Sequence, residues 1–297
     1  MNRLLKRPTK PLIIPLLLGL LLSGCANQLF YHPDKEDYRS PKQDGYTFEE
    51  SYFESEDGTK LHTWRIPAIG EEKGSVLHFH GNAQNLSSHY AFVSWLPKNG
   101  YTLYLFDYRG YGKSEGVTSR KGLYQDSVAA LRYFEKQTEG KTSPRFVIAQ
   151  SLGAANAIVA IAQTSDLKID GIVSDSAFSS YQAIASEKLG KSPLKLSLPL
   201  LVSSGFDPID WVDKLDGTPI AFVHGTADKV VSDKHVDLLY AKAKHPKLLW
   251  IIEGGQHTNA LTTNREIFIP RILRFFDQCT SNDFPENEPE PSPASDS

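Results

Sequence analysis

Eight short runs rich in apolar, β-branched or aromatic residues, separated by stretches with helical spacing, limit what this chain can fold into more than any other feature. The runs are YTFEESYF (46–53), KLHTWRIPA (60–68), SVLHFHG (75–81), YTLYLFDY (101–108), RFVIAQ (145–150), GIVSDS (171–176), PIAFVHG (219–225) and LLWIIEG (248–254). Helical stretches fall near 86–96, 121–137, 152–164, 233–244 and 265–276; in the second, Leu123, Val128, Leu131 and Phe134 recur at helical spacing. Strands that read as near-continuous apolar runs and alternate with helices predict a mostly parallel sheet covered by helices on both faces. The first two runs precede the alternation and predict an antiparallel edge. In such a sheet ligands gather beyond the carboxyl ends of the strands. Chemistry is therefore sought in HGNAQN (80–85), DYRGYGKSEG (107–116), QSLG (150–153), DSAF (175–178), HGTADKVV (224–231) and GGQHT (254–258).

Ser151 stands where the fifth run stops and the helix former LGAANAIVAIAQ begins. This is the strand-turn-helix setting in which the pattern small-x-Ser-x-small forms a nucleophile elbow. The elbow forces the serine into an unusual backbone conformation, so its neighbours two residues away must be small. Here they are Ala149 and Gly153, the alanine standing where glycine is usual. A serine N-cap on a buried helix is the plain alternative.

A serine hydroxyl is a weak nucleophile and needs a base, which in turn needs an acceptor that fixes its tautomer. His257 follows the last strand in a glycine-rich loop, and Asp228 follows the seventh strand in HGTADKVV. Asp175, at the end of the sixth run, is the second choice for the acid. Other histidines have local reasons to be set aside: His78 lies inside a strand, His80 and His224 precede glycines at strand ends, and His89 falls in a helix start where packing or capping is expected. The oxyanion of an acyl-transfer intermediate requires two donors. The backbone N–H of Leu152 supplies one, and Asn82 or Ala83, in the loop after the third strand, the other.

Taken together, HGNAQN, FDYRGYGKSEG, AQSLGA, DSAF, HGTADKVV and GGQHT resemble the α/β-hydrolase superfamily over roughly residues 45–278, and within it the small-capped serine hydrolases related to the peptidase domain of prolyl oligopeptidases. The resemblance implies an α/β-hydrolase fold with an eight-stranded central sheet, no metal and no organic cofactor. It implies the triad Ser151, Asp228 and His257 with Asn82 and Leu152 at the oxyanion hole. The long segment 179–217 between the sixth and seventh strands reads as a small lid. Its Leu194, Leu196, Leu198, Leu200, Leu201 and Val202 either line an acyl pocket or pack the lid onto the domain.

The amino-terminal end carries Arg3, Lys6, Arg7 and Lys10, then the apolar PLIIPLLLGLLLSGC. A basic region, a short apolar region and small residues make an export signal, and Leu22-Ser23-Gly24-Cys25 resembles the bacterial lipobox, whose cysteine is acylated after cleavage. Loss of residues 1–24 takes the formal charge from −3 to −7, so membrane anchoring falls to the acyl chains rather than to basic residues. Ala26 after the cysteine favours the outer membrane if the host is Gram-negative. The domains expected are a signal peptide (1–24), a lipidated Cys25 with a polar tether (25–45), the hydrolase domain (46–279) and a disordered acidic tail (280–297). Cys279 has no cysteine left to pair with and no histidine near it in sequence, so it receives no role. No basic patch interleaved with aromatics follows the first ten residues, which argues against nucleic acid.

The function expected is hydrolysis of carboxylic esters or related acyl bonds on a small-molecule substrate through an acyl-enzyme. A serine peptidase or amidase acting on a peptide-like substrate is the rival within enzymes. A silent binding or scaffold lipoprotein on a hydrolase fold is the rival outside them.

Overall fold

A computed structural model of the chain describes residues 30–198, 202, 205–281 and 284. The eight expected strands all form: β1 (Glu49–Glu54), β2 (Lys60–Ile66), β3 (Gly74–Phe79), β4 (Tyr101–Phe106), β5 (Arg145–Gln150), β6 (Gly171–Asp175), β7 (Ile220–Gly225) and β8 (Lys247–Ile252). They make one sheet in the order β1-β2-β4-β3-β5-β6-β7-β8. The β1–β2 and β2–β4 pairs are antiparallel and the rest are parallel. All residues of β3, β4, β6 and β7 are buried, as continuous apolar strands between two helix layers must be. β1, at the open edge, keeps its charged residues exposed.

Helices α1 (Leu86–Val93), α2 (Arg120–Gln137), α3 (Leu152–Gln163), α4 (Tyr181–Leu189), α5 (Lys234–Lys242) and α6 (Arg265–Thr280) complete the fold. The apolar residues of α1 and α6 share one core with one face of the sheet; those of α2, α3 and α5 share the core on the other face. Asn85 caps α1 by accepting from Ser87 N–H at 2.9 Å, and Ser119 caps α2 by accepting from Gly122 N–H at 3.1 Å. The capping side chain fixes where each helix starts, and for α1 that start lies directly after the loop expected to hold the oxyanion.

Two regions differ from the expectation. The segment 179–217 contains α4, which its sequence did not announce: only Tyr181 and Ile184 of YQAIASEKL are buried, too few to mark a face. The polar stretch read as a tether is, from Phe30 onward, part of the domain. Tyr31 is 4% exposed, Phe30 packs among Tyr31, Phe178 and Tyr181, and a buried Pro41 opens a capped 3₁₀ turn. Its prolines and charges suggested a free linker, but two adjacent aromatics provide enough apolar surface to dock it. The export signal, Cys25 and nearly all of the acidic tail lie outside the described residues.

Candidate active site

Strand β5 ends at Gln150 and α3 begins at Leu152, so one residue turns the chain from strand to helix. That residue, Ser151, has φ 51° and ψ −115°, a region a serine rarely adopts. Its N–H is held by the carbonyl of Asp175 at 2.8 Å, which ties the elbow to the end of β6. The small flanking residues are explained by contact. A Cβ at Gly153 would lie 2.3 Å from the carbonyl oxygen of Phe79, so only glycine lets α3 approach β3 this closely. Ala149 is fully buried between Phe79 of β3 and Ser174 of β6, and its methyl group fits.

His257 comes from the loop after β8. Its Nδ1 lies 2.6 Å from Oδ2 of Asp228. A carboxylate only accepts, so Nδ1 carries the proton and Nε2 presents a lone pair. Asp228 is held by its own loop: Oδ1 accepts from the N–H groups of Val230 at 2.7 Å and Val231 at 2.9 Å. Burial pushes the Asp228 carboxyl up, but His257 and these two amides outweigh it and the group titrates below the usual carboxylate range. Asp175, the second choice, makes no hydrogen bond to His257. Its Oδ1 accepts from the Ser176 hydroxyl at 2.9 Å, its Oδ2 is buried without a partner, and burial raises its pKa to about 6.

Ser151 and His257 face one cavity of about 290 Å³, lined also by His32, Gly81, Asn82, Ala83, His89, Phe92, Gln150, Val230 and Thr258. No hydrogen bond joins Ser151 Oγ to Nε2 of His257 in the structure. Such contacts are commonly loose before substrate binds. Of the two oxyanion candidates in the loop after β3, Ala83 is excluded, because its N–H donates to Oδ1 of its neighbour Asn82 at 2.9 Å. The backbone N–H of Asn82 has no partner among the described residues. The N–H of Leu152 opens α3 and so has no carbonyl one turn back to bond.

The remaining histidines sort by their partners. His224 Nε2 donates to the Val231 carbonyl at 2.9 Å, His235 Nδ1 accepts from the Ser179 N–H at 3.0 Å, and His80 Nδ1 donates to the Gly81 carbonyl at 2.8 Å. His89 stacks on Phe92 and donates from Nε2 to the Ala83 carbonyl at 3.2 Å, and it also lines the cavity. Burial lowers its pKa to about 3, which makes it a poor acceptor for the Ser151 proton. His32, assigned to the tether, also lines the cavity. Its signal in the sequence was the aromatic pair Phe30-Tyr31 just before it. The lid leucines do not form an acyl pocket among the described residues: Leu196 is 88% exposed, Leu198 is buried, and Val202 packs on the core. The side chains of Leu194, Leu200 and Leu201 lie outside the described ones. Cys279 is half-buried, and burial pushes its thiol well up, away from nucleophilic chemistry.

A serine strained at a strand-to-helix elbow, facing a histidine from after the last strand at the carboxyl edge of this sheet, is the architecture of one superfamily. The chain belongs to the α/β-hydrolase superfamily and is an enzyme of that class. Residues 70–205 match the family described as serine aminopeptidase, S33. The chain is 32% identical over 260 residues to YfhR of Escherichia coli O157:H7, covering 86% of this chain and 88% of that one, and belongs to the same family. Among solved structures, the esterase Pf2001 of Pyrococcus furiosus superposes with a TM-score of 0.69 at 22% identity, covering 83% of this chain and 98% of that one. Est1E of Butyrivibrio proteoclasticus, solved with ferulic acid bound, gives a TM-score of 0.62 at 20% identity over 75% and 98% of the two chains.

Proposed function

We propose that the protein is a serine hydrolase that cleaves carboxylic esters of small molecules through an acyl-enzyme. The observation that carries this reading is Ser151, strained at the elbow, sharing a cavity with a histidine whose Nδ1 is fixed by Asp228 at 2.6 Å. In this scheme Nε2 of His257 takes the Ser151 proton as Oγ attacks the carbonyl carbon. The C–O bond to the leaving alcohol breaks as His257 returns the proton to it. Water then attacks the acyl-enzyme by the same route and regenerates Ser151. The N–H groups of Leu152 and Asn82 receive the oxyanion of each tetrahedral intermediate.

An ester is favoured over a peptide with a free amino end by the lining of the cavity. An aminopeptidase needs a carboxylate to receive the substrate's ammonium group, and no Asp or Glu is among the described residues lining it. The cavity is at the small end of ligand-site volumes, which suits a short acyl group. The test is a panel of p-nitrophenyl esters of graded chain length beside aminoacyl anilides. The expected result is kcat/KM highest at the two- to four-carbon acyl groups and at least about 100-fold lower for the anilides. A preference for the anilides would replace the esterase with a peptidase.

The export signal and the lipobox at Cys25 support a lipid-anchored protein of the cell envelope, in the outer membrane of a Gram-negative host. Four residues lie between Cys25 and Phe30, and the five steps span at most about 17 Å at about 3.5 Å each. An acylated Cys25 therefore holds the domain against the membrane surface rather than on a long tether. Mass spectrometry of the mature protein should find Cys25 as the first residue, bearing two or three acyl chains. An unmodified amino terminus would leave a secreted enzyme without an anchor.

A further inference from the structure

The loop that carries the candidate oxyanion donor does not hold its own shape. Ala83 and Gln84, directly after Asn82, have φ of 73° and 56°, left-handed values in two successive residues that are not glycine. Something outside the loop must keep them there. The segment from Phe30 to Asp34 supplies those contacts. The N–H of Gln84 donates to the carbonyl of His32 at 3.0 Å, and the N–H of Asp34 donates to the carbonyl of Gln84 at 3.3 Å, a short parallel bridge across the strained residues.

Asn82 is the hub of the arrangement. Its Oδ1 accepts from the N–H of Ala83 at 2.9 Å, the hydroxyl of Tyr111 at 2.8 Å and the N–H of His32 at 3.1 Å. Its Nδ2 donates to the carbonyl of Phe30 at 2.6 Å. The side-chain oxygen and the Nδ2 donor are thus tied to the strap and to Tyr111, and the backbone N–H is the donor offered to an oxyanion. The second asparagine of the loop repeats the pattern: Asn85 Nδ2 donates to Asp34 Oδ1 and to the Glu36 carbonyl, both at 2.8 Å, while its Oδ1 caps α1. The carbonyl of Asp34 accepts from Gly112 N–H at 2.9 Å, which joins the segment to the loop after β4 as well. Phe30 and Tyr31 root it in the aromatic cluster of Phe178 and Tyr181.

We propose that residues 30–34 are a strap that positions the oxyanion hole, with Asn82 and Tyr111 as its positioning residues. The inference rests on the serine hydrolase reading for its effect on turnover. Its physical content, that the strap clamps the loop, stands apart from that reading. The structure makes the geometry of the oxyanion donor depend on a segment 50 residues earlier in the chain, the same segment that leads from the proposed lipid anchor.

The test uses the full chain with Asn82→Ala, Asn82→Asp, Tyr111→Phe and Phe30→Ala. A donor that is present but badly aimed is lost from the transition state and not from substrate binding. Asn82→Ala is therefore expected to lower kcat on p-nitrophenyl acetate about 100-fold with KM changed less than about threefold. Asn82→Asp keeps the acceptor at the hub but turns a carboxylate oxygen against the Phe30 carbonyl and adds negative charge beside the developing oxyanion, so it should recover little of that loss; Tyr111→Phe removes one of three donors and should cost about three- to tenfold. Hydrogen–deuterium exchange of a peptide spanning 80–86 should quicken in Asn82→Ala and Phe30→Ala, without need of any substrate. Should Asn82→Ala fail to fold, Tyr111→Phe and Phe30→Ala decide: a fall in kcat with KM little changed and faster exchange at 80–86 supports the strap, and parent-like kcat and exchange in both overturns it. A parent that turns over no ester would remove the hydrolase reading while the exchange still reports the clamp. An active parent matched by Asn82→Ala in both kcat and exchange would overturn the strap alone.

Discussion

Two aspartates stand at neighbouring strand ends, the first and second choices by sequence for the partner of His257, and the structure treats them in opposite ways. Asp228, after β7, is carried outward on a turn whose own amides at Val230 and Val231 hold one oxygen while the other meets His257. Asp175, the last residue of β6, is sealed beneath the site with a single donor from Ser176 and one oxygen unpartnered. The first is a carboxylate whose charge has been provided for; the second is a buried carboxyl whose charge has not. A strand end alone does not keep a carboxylate charged; a loop long enough to bring its own donors does.

The comparison breaks most visibly in turnover. Asp228→Asn should lower kcat by about 10⁴-fold, because an amide in this place no longer forces the proton onto Nδ1 of His257 and the base is lost. Asp175→Asn should cost less than about tenfold. The reverse order in steady-state kinetics would move the acid to β6. A smaller effect, in stability, sharpens the same contrast. Burial raises Asp175 in the folded protein to about 6, against an ordinary aspartate value of about 3.9 when unfolded. Between those two values the folded state binds more protons than the unfolded one, so this group makes stability fall as pH rises from about 4 through 6. Asp175→Asn removes that term. Its unfolding free energy relative to the parent should therefore climb across this window, by on the order of 2–3 kcal/mol, and be level below it. Asp228 has the opposite sign: its lowered pKa contributes stability above the unfolded value that is lost as pH falls through the folded one. Urea unfolding at a series of pH values measures both, and a difference between variant and parent that does not change with pH would contradict the assignment of Asp175.

What could be read from the sequence divides along a similar line. The strands were legible because burial on both faces writes itself as continuous apolar runs, and RFVIAQ coincides with β5 residue for residue. Ser151 was legible because the elbow restricts residues within two positions of it. The preference for Asp228 over Asp175 rests on its place after the penultimate strand, where a loop can reach His257, and the structure sets its Oδ2 2.6 Å from Nδ1 of that histidine. The strap was not legible, since its bonds run to loops 50 or more residues away and have no period. Its prolines and charges imitate a linker, and Phe30-Tyr31 alone pointed the other way. The lid helix α4 shows too little apolar contrast to announce itself. The place of His89 in the cavity depends on where α1 starts, which the cap at Asn85 sets and hydrophobic spacing does not.

The central claim is that Ser151 is the nucleophile, and covalent labelling measures it directly. A fluorophosphonate probe reacts with a serine only when a neighbouring base and an oxyanion site activate it. The folded protein should take up one equivalent, mass spectrometry of the proteolytic peptide should place the adduct on Ser151, and Ser151→Ala should abolish labelling while leaving the circular dichroism unchanged. A folded protein that is not labelled, or labelling that persists in Ser151→Ala, would contradict the account.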